Sequence, residues 1–257
     1  MHRPSELTLR GIPFPLYRGS LETISGLVTS GTCVGCHRTA PYLFELGHGD
    51  YVLDTCHRCS SPTALAVGWA DEAAPTSACR SCANLLSWPD GTSREGLAIC
   101  YACVRSGRVA FAHGTNLGSA DWEHTEEGRL DFGRLDAAER AGLRTTVLET
   151  YDDGSQRLGV HVPQAVLTEL HRTPRYMSLQ REYWYWHCGN FMPYLGRWDH
   201  DDFERQAPGR GREWFGAHMP PGETWEDMWE WLPTDTGWSY VHQCSTCGLH
   251  KVFVDAD

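Results

Sequence analysis

The chain has 257 residues, 41% of them hydrophobic and 21% charged, an ordinary globular composition that excludes wholesale disorder. Its formal net charge of −11 arises in the second part of the chain, because residues 1–110 hold nine basic and nine acidic side chains while residues 111–257 hold thirteen and twenty-four. Nucleic-acid affinity depends largely on Lys and Arg, so this charge disfavours a nucleic-acid partner and favours a basic protein. No apolar run has the length of a signal peptide or a membrane span, which predicts a cytoplasmic protein without a membrane partner.

Four C-x-x-C pairs recur within the first 103 residues, separated by 19, 19 and 17 residues. Such spacers match the C-x2-C-x15–20-C-x2-C pattern of zinc sites, and in a reducing compartment paired cysteines indicate metal ligands rather than disulfides. We therefore predict two structural all-cysteine zinc sites that fold this region and do no chemistry. Their predicted ligands are Cys33, Cys36, Cys56, Cys59, Cys79, Cys82, Cys100 and Cys103.

The spacing does not decide which pairs share an ion. A tandem arrangement is favoured, in which the first pair joins the second and the third joins the fourth, while nested and crossed arrangements stay open. C-x-x-C is also a thiol–disulfide motif, but oxidoreductases normally carry a single such pair in a βαβ context, which is missing here.

Local patterns predict short elements after the first cysteine pair. PYLFEL (41–46) and YVL (51–53) are typical of ribbon strands. The polar, glycine-rich residues 113–134 predict a linker. A short helix is expected over 136–143, a hairpin over 145–162, and a further helix that starts at Pro163 and stops before Pro174.

The aromatic segment REYWYWHCGN (181–190) predicts a helix over 178–188 that ends at Gly189. TWEDMWEWL (224–232) predicts an amphipathic helix, and GWSYVHQCSTCGLHKVFVD (237–255) predicts a strand, a cysteine turn and a strand. Most of the many tryptophans in this part are expected to pack in a core.

The predicted fold is therefore α+β in three parts. Residues 1–112 form small zinc-ribbon-like β units, residues 113–134 form the linker, and residues 135–257 form an acidic, Trp-rich α+β domain closed by the C-x-x-C hairpin.

Cys244 and Cys247 supply only half of a metal site, and Cys188 is the one cysteine outside a C-x-x-C pair. We predict a third zinc bound by these three thiols together with His187, with His242 and His250 as neighbouring candidates. Adjacent helical side chains point about 100° apart, so His187 and Cys188 serve together only where the helix has ended, as Gly189 permits. The alternatives are a Cys188 thiol packed as a small hydrophobe and, less favoured, a nucleophile–base dyad of Cys188 and His187.

Acidic side chains cluster in WDHDDFE (198–204) and in the predicted helix 224–232. Carboxylates could hold Mg²⁺ as in a nuclease, but Asp at a helix start commonly caps free N–H groups. We predict that the acidic surface binds a protein partner through Asp199, Asp201, Asp202, Glu226, Asp227 and Glu230.

Two segments, LTELHRTPRYMSLQREYWYWHCGNFMPYLG (167–196) and QCSTCGLHKVFVD (243–255), resemble the CbrC family, whose members carry R-T-P-G-Y, W-Q-x-E-x-W, H-C-G-D and a closing C-x-x-C-G. The N-terminal pairs in TCVGCHR (32–38) and CYACVRSGRVAFAHGT (100–115) are similar to those of the family. The chain departs from the pattern at Arg175, Leu179 and Asn190. The resemblance implies a role in tolerance to colicins, and no enzymatic activity is established for that family.

These observations favour a cytoplasmic, zinc-binding immunity or tolerance protein that binds and neutralises a colicin-like or polymorphic bacterial toxin through its acidic C-terminal half. One alternative is a metal-dependent hydrolase or nuclease with a site near His187, Cys188 and Asp199–Asp202. Another alternative is a zinc-ribbon adaptor or transcriptional modulator. Charge steering between an acidic surface and a basic toxin supports the first function.

Overall fold

The computed structural model describes residues 14–55, 59–67, 77, 78, 82, 85, 86, 97–122, 128–180, 182–220, 224–232 and 237–256. Cys56 and Cys79, predicted as zinc ligands, lie outside these residues. Within this part of the chain the fold is α+β, with small antiparallel sheets and short helices. None of the helices it contains is long and apolar enough to cross a membrane.

The described residues of the N-terminal half form three small sheets. The first has the order β1–β2–β7 and the second the order β4–β3–β8, while β5 and β6 form a hairpin. Strand β7 pairs with β2, so the chain leaves this first sheet after β2, forms β3 to β6, and returns to the same sheet at β7. The segment between β2 and β7 is called the excursion below. The strands are β1 Leu27–Thr32, β2 Thr39–Glu45, β3 Tyr51–Thr55, β4 Pro62–Ala66, β5 Ser77–Ala78, β6 Leu85–Leu86, β7 Ala98–Cys100 and β8 Val109–Ala110.

In the second half, the described residues form two three-stranded sheets, β11–β13–β12 and β16–β17–β18, and the hairpins β9–β10 and β14–β15. Its strands are β9 His113–Thr115, β10 Gly118–Ala120, β11 Arg129–Leu130, β12 Thr145–Thr150, β13 Gln156–His161, β14 Trp186–His187, β15 Asn190–Phe191, β16 Tyr194–Trp198, β17 Gly237–Gln243 and β18 His250–Ala256. Three of these strands lie within the segment predicted as a linker, so part of that segment is structured. The division into two domains itself stays a prediction.

The helices are short, and three of them lie where the sequence predicts a helix. They are α1 Tyr101–Arg105, α2 Leu135–Arg140, α3 Gln164–His171, α4 His200–Gln206, α5 Gly211–His218 and α6 Trp225–Trp231. The predicted helices at 136–143, after Pro163 and at 224–232 are confirmed as α2, α3 and α6, and the predicted 145–162 hairpin is confirmed as β12 and β13.

The predicted helix over 178–188 is wrong. Trp184 instead forms a bridge with Thr115, and Trp186 and His187 form strand β14. Aromatic side chains favour extended backbone when cross-strand neighbours are available, and here Trp186 packs edge-on against Phe191 at a ring separation of 5.3 Å.

One hydrophobic core joins both halves of the chain, from Phe14 to Tyr240. Tyr194 lies near its centre, with Tyr176 stacked on it at 4.3 Å and Tyr17 edge-on at 5.1 Å. A second core lies between helices α4–α6 and the last sheet and includes Phe203, Phe215 and Trp229, so many of the predicted core aromatics are buried.

Candidate metal centres

The first cysteine turn connects β1 to β2. Cys33 and Cys36 face each other across this turn because the N–H of His37 donates to the Cys33 carbonyl at 2.8 Å, and the N–H of Cys33 donates to the Arg38 carbonyl at 2.9 Å. His37 takes the left-handed conformation, φ 56°, that closes the turn. A closed C-x-x-C turn presents both sulfurs on one side, as a shared metal ion requires.

The other half of this cluster comes from the end of β7 and the first turn of α1. Cys100 occupies the residue before the helix and Cys103 its third position, so their side chains lie on one helix face. The backbone N–H of Cys100 donates to the Cys33 sulfur at 3.2 Å. Cys33, Cys36, Cys100 and Cys103 thus place all four sulfurs within 4.8 Å of one another.

The N-terminal cluster fits zinc. Tetrahedral zinc with Zn–S bonds of about 2.3 Å separates two sulfurs by about 3.8 Å. The sulfurs of Cys36 and Cys100 are 3.9 Å apart. Four thiolates fill the coordination shell of Zn²⁺, and such a closed site is structural rather than catalytic.

This pairing corrects the predicted tandem arrangement. The first cysteine pair joins the fourth, because β7 returns to pair with β2 beside the first turn. Sequence spacing favours neighbouring pairs and contains no information on that return. The pairs that include Cys59 and Cys82 fall inside the excursion, where Cys59 is exposed and Cys82 half-buried, and their roles as ligands stay predictions.

The acidity of the N-terminal thiols is uneven. Burial raises the pKa of Cys33, but hydrogen bonds from Cys100 and Cys36 outweigh burial and lower the pKa to about 7. Burial, together with hydrogen bonds to the other sulfurs, raises the pKa of Cys103 well above its ordinary value. One thiolate is therefore available near neutral pH, and metal binding has to displace the remaining protons.

The second cluster begins at the hairpin of β14 and β15. Register pairs of Trp186 with Phe191 and His187 with Asn190 leave Cys188 and Gly189 as a two-residue turn. Their φ angles of 47° and 80° are both left-handed, as in a type I′ hairpin turn. The turn brings His187 and Cys188 to the same site, which adjacent positions on the predicted helix could not do.

The C-terminal cysteine turn lies opposite this hairpin and connects β17 to β18. Cys244 and Cys247 are oriented by bonds of the same pattern as in the first turn, from Gly248 N–H to the Cys244 carbonyl at 3.0 Å and from Cys244 N–H to the Leu249 carbonyl at 2.8 Å. His187, Cys188, Cys244 and Cys247 place their donor atoms within 4.8 Å of one another.

The fit of this cluster to zinc is equally close. A tetrahedral ion with one Zn–S bond of about 2.3 Å and one Zn–N bond of about 2.0–2.1 Å separates the two donors by about 3.5–3.6 Å. The Cys247 sulfur and His187 Nδ1 are 3.5 Å apart. The ligand set predicted for the third zinc is therefore brought together. His242 is instead buried among aromatic rings, and His250 lies beside Trp214.

The thiols of the C-terminal cluster also differ in acidity. Burial raises the pKa of Cys244, but a backbone hydrogen bond from Cys247 and a side-chain hydrogen bond with His187 contribute to lowering it to about 6. A hydrogen bond with Cys247 raises the pKa of Cys188 to about 11. As in the first cluster, one preformed thiolate accompanies thiols that lose their protons on metal binding.

Two residues that sequence reasoning missed hold the ligand hairpin in place. The Asn116 side chain accepts the N–H of Trp186 at 2.7 Å, and the backbone N–H of Asn116 donates to the Trp184 carbonyl at 3.0 Å. Thr115 forms a bridge with Trp184 in the same place. No spacing pattern indicated these contacts, because they join positions about seventy residues apart in sequence.

The acidic residues of 199–202 are not brought to either cluster. Among the described residues, the groups of three or more metal-ligand side chains are the two cysteine clusters. Asp199 caps α4 by accepting the N–H of Asp202 at 3.0 Å, while the Asp202 side chain accepts the N–H of Asp199 at 3.0 Å. This reciprocal capping box is the structural role that Asp at a helix start favours.

Residues 61–256 match the uncharacterised protein family UPF0167. The chain belongs to the UPF0167 family. The match includes α1, with Cys100 and Cys103, and the whole C-terminal cluster, whereas Cys33 and Cys36 lie before it. No match is found among curated proteins or among solved structures. The resemblance of this UPF0167 chain to the CbrC family stays a prediction.

Proposed function

We propose that this chain is a metal-stabilised binding protein of the immunity or tolerance type, which binds and neutralises a basic bacterial toxin in the cytoplasm. The observation that carries the proposal is the acidic surface formed by helices α4 and α6. The two metal clusters serve this function by stabilising the fold that positions those helices.

Helices α4 and α6 contact each other through aromatic side chains. His200, in the first turn of α4, stacks on the Trp229 ring of α6 at 4.1 Å and hydrogen-bonds the Trp229 carbonyl at 2.8 Å. Phe203 of α4 also packs against Trp229, with ring centroids 5.8 Å apart. The two predicted acidic groups therefore lie on neighbouring helices and contribute to one field.

Nearby cations neutralise this field only in part. Arg205 pairs with Asp202, and Arg212 pairs with Glu230 at 3.2 Å. In the described part of the chain no ion pair involves the exposed side chains Asp201, Glu226 and Asp227. Such a surface steers a basic partner toward it and repels phosphate backbones.

The test is binding to a panel of immobilised basic toxin domains at two salt concentrations, with polylysine as the control for non-specific attraction. Affinity for one toxin domain should fall as salt rises, because the attraction between opposite charges is screened. Metal content is measured on the same samples. Growth rescue by the chain without any detectable complex would contradict the proposal.

Charge-matched variants locate the surface. The triple variant Asp201→Asn, Glu226→Gln, Asp227→Asn should slow association by on the order of tenfold at low salt. The control triple variant Glu139→Gln, Glu149→Gln, Asp152→Asn removes the same charge from exposed positions elsewhere and should leave the rate nearly unchanged. Equal effects of the two variants would indicate only a response to net charge.

A further inference from the structure

The two cysteine clusters differ in how far their sulfurs are accessible to solvent. In the N-terminal cluster Cys36 is half-buried and the other three cysteines are buried. In the C-terminal cluster Cys188 and Cys247 are exposed, and only Cys244 is buried. Oxidants in solution react with thiolates that they can reach, so the two clusters should respond to them differently.

We propose that the C-terminal cluster is a redox-sensitive metal site, at which a peroxide converts Cys188 and Cys247 into a disulfide and releases the metal ion. The inference rests on the proposed metal binding by this cluster, and it adds a regulatory chemistry to that binding. The N-terminal cluster should keep its metal longer under the same conditions, because three of its cysteines are buried and Cys36 is half-buried.

The positions of Cys188 and Cys247 permit a disulfide bond between them. The two exposed sulfurs lie within 4.8 Å, and a disulfide requires about 2.05 Å, so the turns need to approach by less than about 3 Å. Both turns have room to move, since a Cβ placed on Gly189 or on Gly248 would meet no atom within 4 Å. Cys188 also lies in a two-residue turn at the tip of its hairpin.

The reaction balances with one equivalent of hydrogen peroxide. One thiolate attacks a peroxide oxygen, so an S–O bond forms, the O–O bond breaks and hydroxide leaves, giving a sulfenic acid. The second thiolate then attacks that sulfur and expels a second hydroxide as the S–S bond forms. Two sulfurs lose one electron each, the peroxide gains two, and two protons from solvent convert the hydroxides to water. A metal ion held by this cluster would keep only His187 and Cys244 as ligands and would be released.

The disulfide would preserve the connection that the metal makes. The hairpin carrying Cys188 is anchored at its base by the Asn116 contacts, so it stays near the cysteine turn when the ion leaves. Oxidation therefore exchanges one link between the hairpin and the β17–β18 turn for another. Thiol reduction followed by zinc should restore the first link.

The experiment treats the full-length, zinc-loaded chain with hydrogen peroxide and follows zinc release with a colorimetric chelator. We expect a fast release phase, on the order of tenfold faster than the remainder, that is absent from Cys188→Ser and retained in Cys36→Ser. Because Cys59 is exposed as well, these variants are needed to assign the phase.

Peptide mass spectrometry of the oxidised wild-type chain gives a readout that does not depend on variant folding. A Cys188–Cys247 disulfide formed in step with the fast phase is the expected result. First oxidation at Cys33, Cys36, Cys100 or Cys103, or unchanged release in Cys188→Ser, would overturn the redox inference alone. Equal zinc content in Cys188→Ser and the wild type before peroxide would overturn metal binding at this cluster and the inference with it.

Discussion

His37 and Gly248 occupy the same position in the two cysteine turns. Each is the residue after the second cysteine, each has a left-handed φ, 56° and 76°, and each donates its N–H to the carbonyl of the first cysteine. The left-handed region costs a residue with a Cβ about 1–2 kcal/mol relative to the right-handed one. The hydrogen bond to the carbonyl of the first cysteine therefore requires the left-handed φ, and glycine adopts this φ at a lower conformational free energy than a residue with a Cβ.

Gly248→Ala should destabilise the zinc-loaded protein by about 1 kcal/mol. An added Cβ would meet no atom within 4 Å, so the cost comes from the backbone conformation and not from a clash. The measurement is the free energy of unfolding in denaturant. Thr246→Ala, at an exposed position of the same turn, should change it by less than about 0.5 kcal/mol, and an equal loss in both variants would contradict this explanation.

Zinc content should reveal the nested pairing. Cys36→Ser should bind one ion fewer than the wild type, and the double variant Cys36→Ser, Cys103→Ser should lose no further ion, because both residues belong to one cluster. The double variant Cys36→Ser, Cys247→Ser should lose two ions. Elemental analysis of gel-filtered protein measures this directly. A loss of two ions in the first double variant would contradict the pairing of the first cysteine pair with the fourth.

Asp50→Ala should be among the most damaging single changes. Asp50 is fully buried, and its carboxylate pairs with Arg175 at 2.6 Å and accepts backbone N–H groups of Gly47 and Ala112. Burial raises the pKa of this carboxyl even beside Arg175. Removing one partner of a buried pair costs about 3–5 kcal/mol, since the other charge stays buried.

A double variant separates the pair from its surroundings. Asp50→Ala, Arg175→Met should be less destabilised than Asp50→Ala alone, because no unpaired guanidinium remains. The exposed pair of Asp136 and Arg140 supplies the control, and Asp136→Ala should destabilise the protein far less than Asp50→Ala does, because solvent screens an exposed ion pair. Unfolding free energies from denaturant titrations decide between these outcomes. An additive double variant would show that the two side chains are not coupled.

Much of the C-terminal site could be predicted from the sequence. Cys244 and Cys247 supply half of a ligand set, and His187 and Cys188 supply chemically matched donors, so ligand chemistry alone brought them together. The local structure could not be predicted in the same way. The aromatic run before Cys188 also suits a helix, and the extended form is selected by contacts with Asn116 and Thr115, far away in sequence.

For the N-terminal cluster, the sequence predicted the ligands but not which cysteine pairs share an ion. The spacing of its cysteine pairs identified Cys33, Cys36, Cys100 and Cys103 as ligands, but the choice of partner depends on β7 pairing with β2. Similarly, Arg175 appeared only as a departure from the R-T-P-G-Y pattern, and its role became evident from the buried carboxylate of Asp50. Contacts between residues far apart in sequence produce no periodic pattern from which they could be predicted.

A pH titration should reveal a buried, uncharged histidine. His171 is buried with its Nδ1 2.8 Å from the Phe111 carbonyl, to which it donates as Nδ1–H, and burial lowers its pKa to about 4. Between about pH 6.5 and 4 the unfolded chain binds a proton that the folded chain does not, so stability falls as pH falls through this window. The loss from this group should reach about 2 kcal/mol by pH 5.

The variant His171→Asn isolates that contribution from the protonation of the metal ligands. Asparagine places an N–H donor close to the position of Nδ1 but does not titrate, so the bond to Phe111 can be kept. The variant starts less stable at pH 7 because it is smaller, and it should lose about 2 kcal/mol less than the wild type between pH 7 and 5. Both proteins lose thiolate-bound metal alike as pH falls, so the difference between their curves reports His171. Parallel curves would show that His171 titrates in the folded protein much as it does in the unfolded chain.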